Sequence, residues 1–134
     1  MSKIVLDMDL FGGLLMVDIK LWNKRKNAFS NLAIVLDTGA SMTTISKDIL
    51  YRAGYSISEG ATKRITTASA MEYVQEVTID KIALGKYEMR DVLVYAHTFP
   101  QESFSSGVLG LNVLTNFDVN LIFSKKMVEL SAID

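Results

Sequence analysis

Hydrophobic and polar residues alternate from the first residues of the chain. Ile4, Leu6, Met8 and Leu10 fall on one face and Val5, Asp7 and Asp9 on the other, the period-2 pattern of a half-buried strand. Val17, Ile19 and Leu21 repeat it against Asp18 and Lys20. Gly12-Gly13 separates the two runs, and the polar cluster Asn23-Lys24-Arg25-Lys26-Asn27 predicts a turn into the next strand. Leu32 to Leu36 is apolar at every position. Such a run predicts a strand buried on both faces, which carries its C-terminal end, and therefore Asp37, to the interior.

One helix is expected after it. Ser46 is a candidate N-cap, Asp48 suits the first turn, Ile45, Ile49, Leu50 and Ala53 share a face, and Gly54 is placed to end it. Further strands are predicted at Ile65 to Thr67, Tyr73 to Leu84 and Tyr87 to Tyr95, the last two joined across Gly85. His97 to Ser106 reads as a polar loop. Gly107 to Leu111 reads as a short apolar strand bracketed by glycines, followed by a helical turn over Asn112 to Phe117 and a hairpin of Val119 to Phe123 with Met127 to Leu130. The chain is thus expected to be mainly β with one or two short helices. No repeat of about 20 to 50 residues is visible, which excludes solenoids and propellers.

A length of 134 residues fits a single domain, 1–134. The hydrophobic share of 49%, with 22% charged residues and one Pro, predicts a folded core rather than a disordered chain. Fourteen Lys and Arg against fifteen Asp and Glu leave a net charge of −1, so no nucleic-acid partner is signalled. With no Cys and one His, thiolate catalysis, thiol zinc sites and disulfide frameworks drop out. The apolar stretch Leu10 to Val17 is far shorter than the roughly 20 residues of a membrane span. Asp7 and Asp9 ahead of it, with no small-residue cleavage site behind, are unlike a secretory signal. The expectation is a cytoplasmic protein without a membrane partner.

The strongest candidate for chemistry is Leu36-Asp37-Thr38-Gly39-Ala40-Ser41. A carboxylate at the end of a buried strand must be hydrogen-bonded, paired or protonated. Gly39 lets the backbone turn tightly and aim an N–H at it, and the Thr38 hydroxyl can brace the loop. On the residues alone, the alternative is that Asp37 serves as a turn or capping residue without catalysis.

Three segments together resemble the retropepsin-like aspartic proteases, the single-lobed family that includes retroviral proteases. They are Val35 to Ala40 with Ser41-x-Thr43-x-Ile45-Ser46, the strand Gly107-Val108-Leu109-Gly110, and the tail Leu111-Asn112-Val113-Leu114 with Phe117-Asp118-Val119. The resemblance implies a closed β-barrel of the acid protease type that dimerises. It also implies an aspartic endopeptidase acting on polypeptide, with no metal or organic cofactor. Only one Asp-Thr-Gly is present, so the two carboxylates that such hydrolysis needs would be Asp37 and its copy across a two-fold axis. Thr38, Gly39 and Ala40 would support the loop, and a flap within Ile65 to Tyr73 would cover substrate with Ala68, Ser69 and Ala70 at its tip. Relatives with Ser or Thr at the place of Ala40 put a hydroxyl beside the carboxylate. Ala40 cannot donate, which implies a pair that keeps its shared proton to higher pH and works in mildly acidic to neutral conditions. The family's arginine after the glycine-bracketed strand is replaced by Leu111, and its flap-tip glycines are absent. The competing reading is a catalytically silent β-barrel dimer that binds extended peptides.

Asp7-Met8-Asp9 superficially resembles the nucleophile motif of haloacid-dehalogenase-like phosphotransferases, but the chain lacks the length and the later acidic pair that these need. An EF-hand reading fails because Phe11 occupies a ligand position and strands flank the segment. The solvent face of an edge strand accounts for both aspartates. His97 is expected at a surface or pocket rim, and Met8, Met16 or Met127 is expected to help bury a dimer contact.

Overall fold

The alternation over the first eleven residues makes two strands in different sheets, not one. In the computed structural model, which describes residues 3–57, 62–66, 71–98 and 106–133, β1 (Lys3–Asp7) and β2 (Asp9–Phe11) are separated at Met8. Met8 is buried, and its N–H donates to the Lys126 carbonyl at 2.9 Å. Leu10, expected inside with Ile4, Leu6 and Met8, is 51% exposed, because the switch of sheet at Met8 breaks the alternation.

The remaining elements are β3 (Leu14–Asn23), β4 (Ala28–Leu36), β5 (Thr44–Ser46), α1 (Lys47–Arg52), β6 (Thr62–Thr66), β7 (Met71–Leu84), β8 (Tyr87–His97), β9 (Gly107–Leu109), α2 (Leu111–Leu114), β10 (Phe117–Ile122) and β11 (Met127–Ala132). They form a three-stranded sheet, β1-β11-β10, and an eight-stranded sheet, β2-β3-β4-β9-β5-β8-β7-β6. The expected mainly β class with two short helices stands. The expected closed barrel reduces to the eight-stranded sheet with one cross-connection, in which Lys20 and Leu21 of β3 pair with Ala83 and Ile82 of β7.

Double burial of β4 begins only where β9 flanks it. Val35 pairs with Val108 and Leu36 with Leu109, and Ile34, Val35 and Leu36 are buried. Ala33, opposite Asp18 on β3 and beyond the reach of β9, is exposed, which corrects the expectation for that position. The core gathers Ile19, Leu21, Ile34, Ile45, Leu50, Ile79, Ile82, Val94, Leu109, Val113 and Leu130, all almost fully inaccessible. Burial on this scale supplies the main favourable term of folding.

Helix α1 starts after Ser46, although the Ser46 side chain makes no capping hydrogen bond. Its end is as expected. Gly54 takes φ +93°, its N–H donates to the Tyr51 carbonyl and the Tyr55 N–H donates to the Leu50 carbonyl, both at 3.0 Å. This is the Schellman arrangement, for which a left-handed glycine is the favoured residue. Ile45, expected on the helix face, lies in β5 instead, where it is buried between β8 and β9.

Candidate active site

Strand β9 lies between β4 and β5, parallel to the first and antiparallel to the second. The chain leaving β4 must therefore cross the end of β9 to reach β5, and Asp37 to Thr43 is that crossing. The Asp37 N–H continues the ladder by donating to the Leu109 carbonyl at 3.1 Å. Its side chain then turns along the loop, where Oδ1 accepts the Gly39 N–H at 2.9 Å and the Asp37 carbonyl accepts the Ala40 N–H at 3.2 Å. The glycine aims its donor as the sequence implied, and a Cβ at Gly39 would stand 3.2 Å from the same Oδ1. Asp37 is half-buried, while Thr38 and Gly39 at the tip are exposed. One carboxylate is thus held at a fixed place by a loop whose tip the described residues leave exposed.

The underside of the crossing is locked by residues that the sequence reading did not assign. Asn112 Oδ1 accepts the Thr43 N–H at 2.7 Å and the Thr43 hydroxyl at 2.8 Å, and the Asn112 Nδ2 donates to the Leu93 carbonyl at 2.8 Å. The Thr43 hydroxyl, fully buried, also accepts the Gly110 N–H at 3.0 Å. Leu111 N–H donates to the Ala40 carbonyl at 2.8 Å, and Asn112 N–H to that of Ser41 at 3.2 Å. The loop thus rests directly on the start of α2. Gly110 permits this approach, since a Cβ there would lie 2.6 Å from the Met42 carbonyl carbon and 2.9 Å from the Ala40 oxygen. No local pattern could have marked Asn112, whose partner Thr43 is 69 residues away.

Other expected residues fall out differently. Strands β6 and β7 pair antiparallel from Thr62↔Gln75 to Thr66↔Met71, but Ala68, Ser69 and Ala70 lie outside the described residues. His97 closes β8 beside Ser46 of β5, half-buried, rather than opening a loop. Leu111, at the place of the family's arginine, is 37% exposed. Met8 and Met16 are buried within the chain, so neither is available to a partner. Among the described residues, no group of three or more His, Asp or Glu is placed to hold a metal ion, and no helix is long and apolar enough to cross a membrane.

A groove of about 300 Å³ is lined by Asp7, Asp9, Phe11, Met16, Val17, Asp18 and Ala33. Of β4 it takes in only Ala33, and Asp37 is not among its lining residues. A larger cavity of about 660 Å³, lined by Arg25, Lys47, Asp48, Tyr51, Gly54, Tyr55, Ser56, Ile57 and Gln75, includes none of the loop residues. Size therefore does not mark the site.

Residues 27–116 match the family described as "gag-polyprotein putative aspartyl protease". The chain belongs to this aspartyl protease family. The matched span holds the Asp37 crossing, β9 and the start of α2, and leaves out both strands of the β10–β11 hairpin. The fold is similar to the crystal structure of a retropepsin-like aspartic protease from Rickettsia conorii, with a TM-score of 0.70 over 96% of this chain and 89% of that one at 18% identity. A search of curated proteins found no match. This aspartyl protease family member is thus retropepsin-like in fold.

Proposed function

We propose that the protein is an aspartic endopeptidase whose site is completed by a second copy of the chain. The observation that carries this reading is the Asp37 carboxylate, fixed by the Gly39 N–H at the end of β4 under a tip of exposed residues. Peptide hydrolysis by carboxylates needs a base to take a proton from water and an acid to hydrogen-bond the substrate carbonyl and later protonate the departing amine. A single chain brings one such group, and a two-fold axis supplies the other from the partner. Carboxylates that meet in this way share one proton and titrate as a pair. One Asp37 then acts as base and its copy as acid. Thr38 and Gly39 hold the two loops together, Ala40 leaves the pair without a side-chain hydroxyl donor, and the 68–70 segment covers an extended polypeptide. No cofactor takes part, and the cytoplasm is the proposed setting.

Asp37→Asn tests the assignment. Cleavage of an unstructured polypeptide should fall to background while light scattering still reports the wild-type assembly. Unchanged cleavage in the variant would remove the catalytic role, and full hydrolysis by a monomer at micromolar concentration would remove the shared site. A wild-type protein that binds extended peptides without cutting them would establish the silent binding module instead.

A further inference from the structure

The cavity of about 660 Å³ beside α1 takes in no residue of the Asp37 crossing, and its chemistry is of another kind. Its lining comes from the β3–β4 turn, α1, the segment that leaves α1, and β7. Its volume falls within the about 300–1,000 Å³ typical of small-molecule sites. Two cations border it. Lys47 is half-buried and Arg25 exposed, and among the described residues neither is ion-paired. The one carboxylate in the lining, Asp48, is already engaged by Arg52 at 3.0 Å. In a chain of net charge −1, the cavity therefore carries a local excess of positive charge.

Arg25 is not a loose surface cation. Its guanidinium lies over the Tyr51 ring, 5.2 Å from the centroid, and its Nε donates to the Tyr51 carbonyl at 3.3 Å. This fixes one face and one N–H, and leaves the terminal N–H groups for an acid, in the planar fork that carboxylates and phosphates fit. Gln75 brings the opposite polarity. It stands on β7 opposite Thr62 of β6 and Ala96 of β8, it lines the cavity, and its Oε1 is shut off from solvent with no hydrogen-bond partner. A buried acceptor without a donor is unfavourable, and the last torsion of a Gln side chain is broad. Turning the amide toward the cavity lets a ligand N–H or O–H satisfy the oxygen. Tyr55 and Ile57 add apolar surface, the Tyr55 hydroxyl being already taken by the Trp22 carbonyl and the Asp80 N–H.

We propose that this cavity is a second site, separate from Asp37, for a small organic anion: Arg25 and Lys47 bind its carboxylate or phosphate, Gln75 accepts one of its N–H or O–H groups, and Tyr55 and Ile57 pack against its apolar body. A ligand held in this way bridges α1 to β7, which are distant in the chain, and stabilises the fold by mass action. The site shares no group with the crossing, so it stands independently of the proposed function. Two sources carry this chemistry. One is the carboxyl end of a peptide, whose amide N–H lies beside the acid, and the other is a phosphorylated metabolite with hydroxyl donors.

Isothermal titration and thermal unfolding of the full chain test the site. The probes are an N-acetylated dipeptide acid with its neutral amide, and adenosine monophosphate with adenosine. At least one acid should bind and raise Tm, with its uncharged counterpart about tenfold or more weaker. The pair that shows this difference identifies the source. Arg25→Gln and Lys47→Gln should each weaken binding by a similar factor. Gln75→Leu should weaken it too, while the free chain keeps or gains stability, because an unpaired buried acceptor has been removed. Asp37→Asn should bind as the wild type does, which separates this site from occupancy of the catalytic loop and holds whether or not the protein cleaves peptides. No binding of any probe at millimolar concentration, equal binding of each acid and its uncharged counterpart, or binding indifferent to Arg25→Gln and Lys47→Gln would overturn the proposal. A Gln75→Leu chain that is destabilised would show that the glutamine serves the fold and would remove it from the site.

Discussion

Asn112 and Tyr55 perform related tasks in different parts of the molecule, and the contrast between them separates what serves the site from what serves the fold. Asn112 spends both ends of its amide under the Asp37 crossing, accepting from Thr43 and donating to Leu93. Tyr55 closes a different gap. β3 and β7 pair only at Lys20 and Leu21, and just beyond, the Tyr55 hydroxyl donates to the Trp22 carbonyl at 2.8 Å and accepts the Asp80 N–H at 3.3 Å. Each side chain stands in for backbone pairing that the sheet cannot make, and an unpaired buried polar group is expensive. Disturbing Asn112 moves the candidate catalytic loop, whereas disturbing Tyr55 should leave the loop in place.

The largest effect is expected at Gly110→Ala. The added methyl meets backbone atoms of Met42 and Ala40 that cannot rotate away. Stability should fall by about 1–3 kcal/mol or more in denaturant unfolding, and cleavage per folded molecule should fall as well. An active, fully stable alanine variant would show that the crossing is not seated on α2 as described.

Asn112→Ala comes next. It leaves the Thr43 N–H without its acceptor and should cost about 1–3 kcal/mol, with kcat falling at constant folded fraction. Tyr55→Phe should cost a similar or smaller amount of stability while kcat per folded molecule stays at the wild-type value. If the two variants changed kcat alike, the separation of roles would fail.

The smallest effect is in alkaline solution. Burial pushes the Tyr55 hydroxyl up from the ordinary 10 to about 12; the Asp80 N–H it accepts pulls it down, and the Asp80 charge adds to the rise. Because the folded state keeps this proton longer than the unfolded state, its contribution is complete below pH 10 and is lost as pH rises from 10 to 12. Unfolding free energies measured across that window should drop more steeply for the wild type than for Tyr55→Phe.

Much of this was legible in the residues. Asp37-Thr38-Gly39 at the end of an apolar run located the candidate carboxylate, and Gly54 located the end of α1, because each is set by the backbone needs of a few neighbours. The break at Met8 was hidden, since Ile4, Leu6, Met8 and Leu10 keep their spacing of two across a change of sheet. Ala33 was misplaced for a related reason: an apolar residue gives no sign of whether a neighbouring strand reaches it.

Period-2 patterning, the turn glycines and the acidic loop are properties of adjacent residues, and the order of amino acids settled them without reference to the rest of the chain. The pairing of Thr43 with Asn112, the seat of the loop on Gly110 and the hydroxyl bolt of Tyr55 were decided by the fold alone. Each depends on segments distant in the chain arriving side by side, and only then does a buried donor acquire its acceptor.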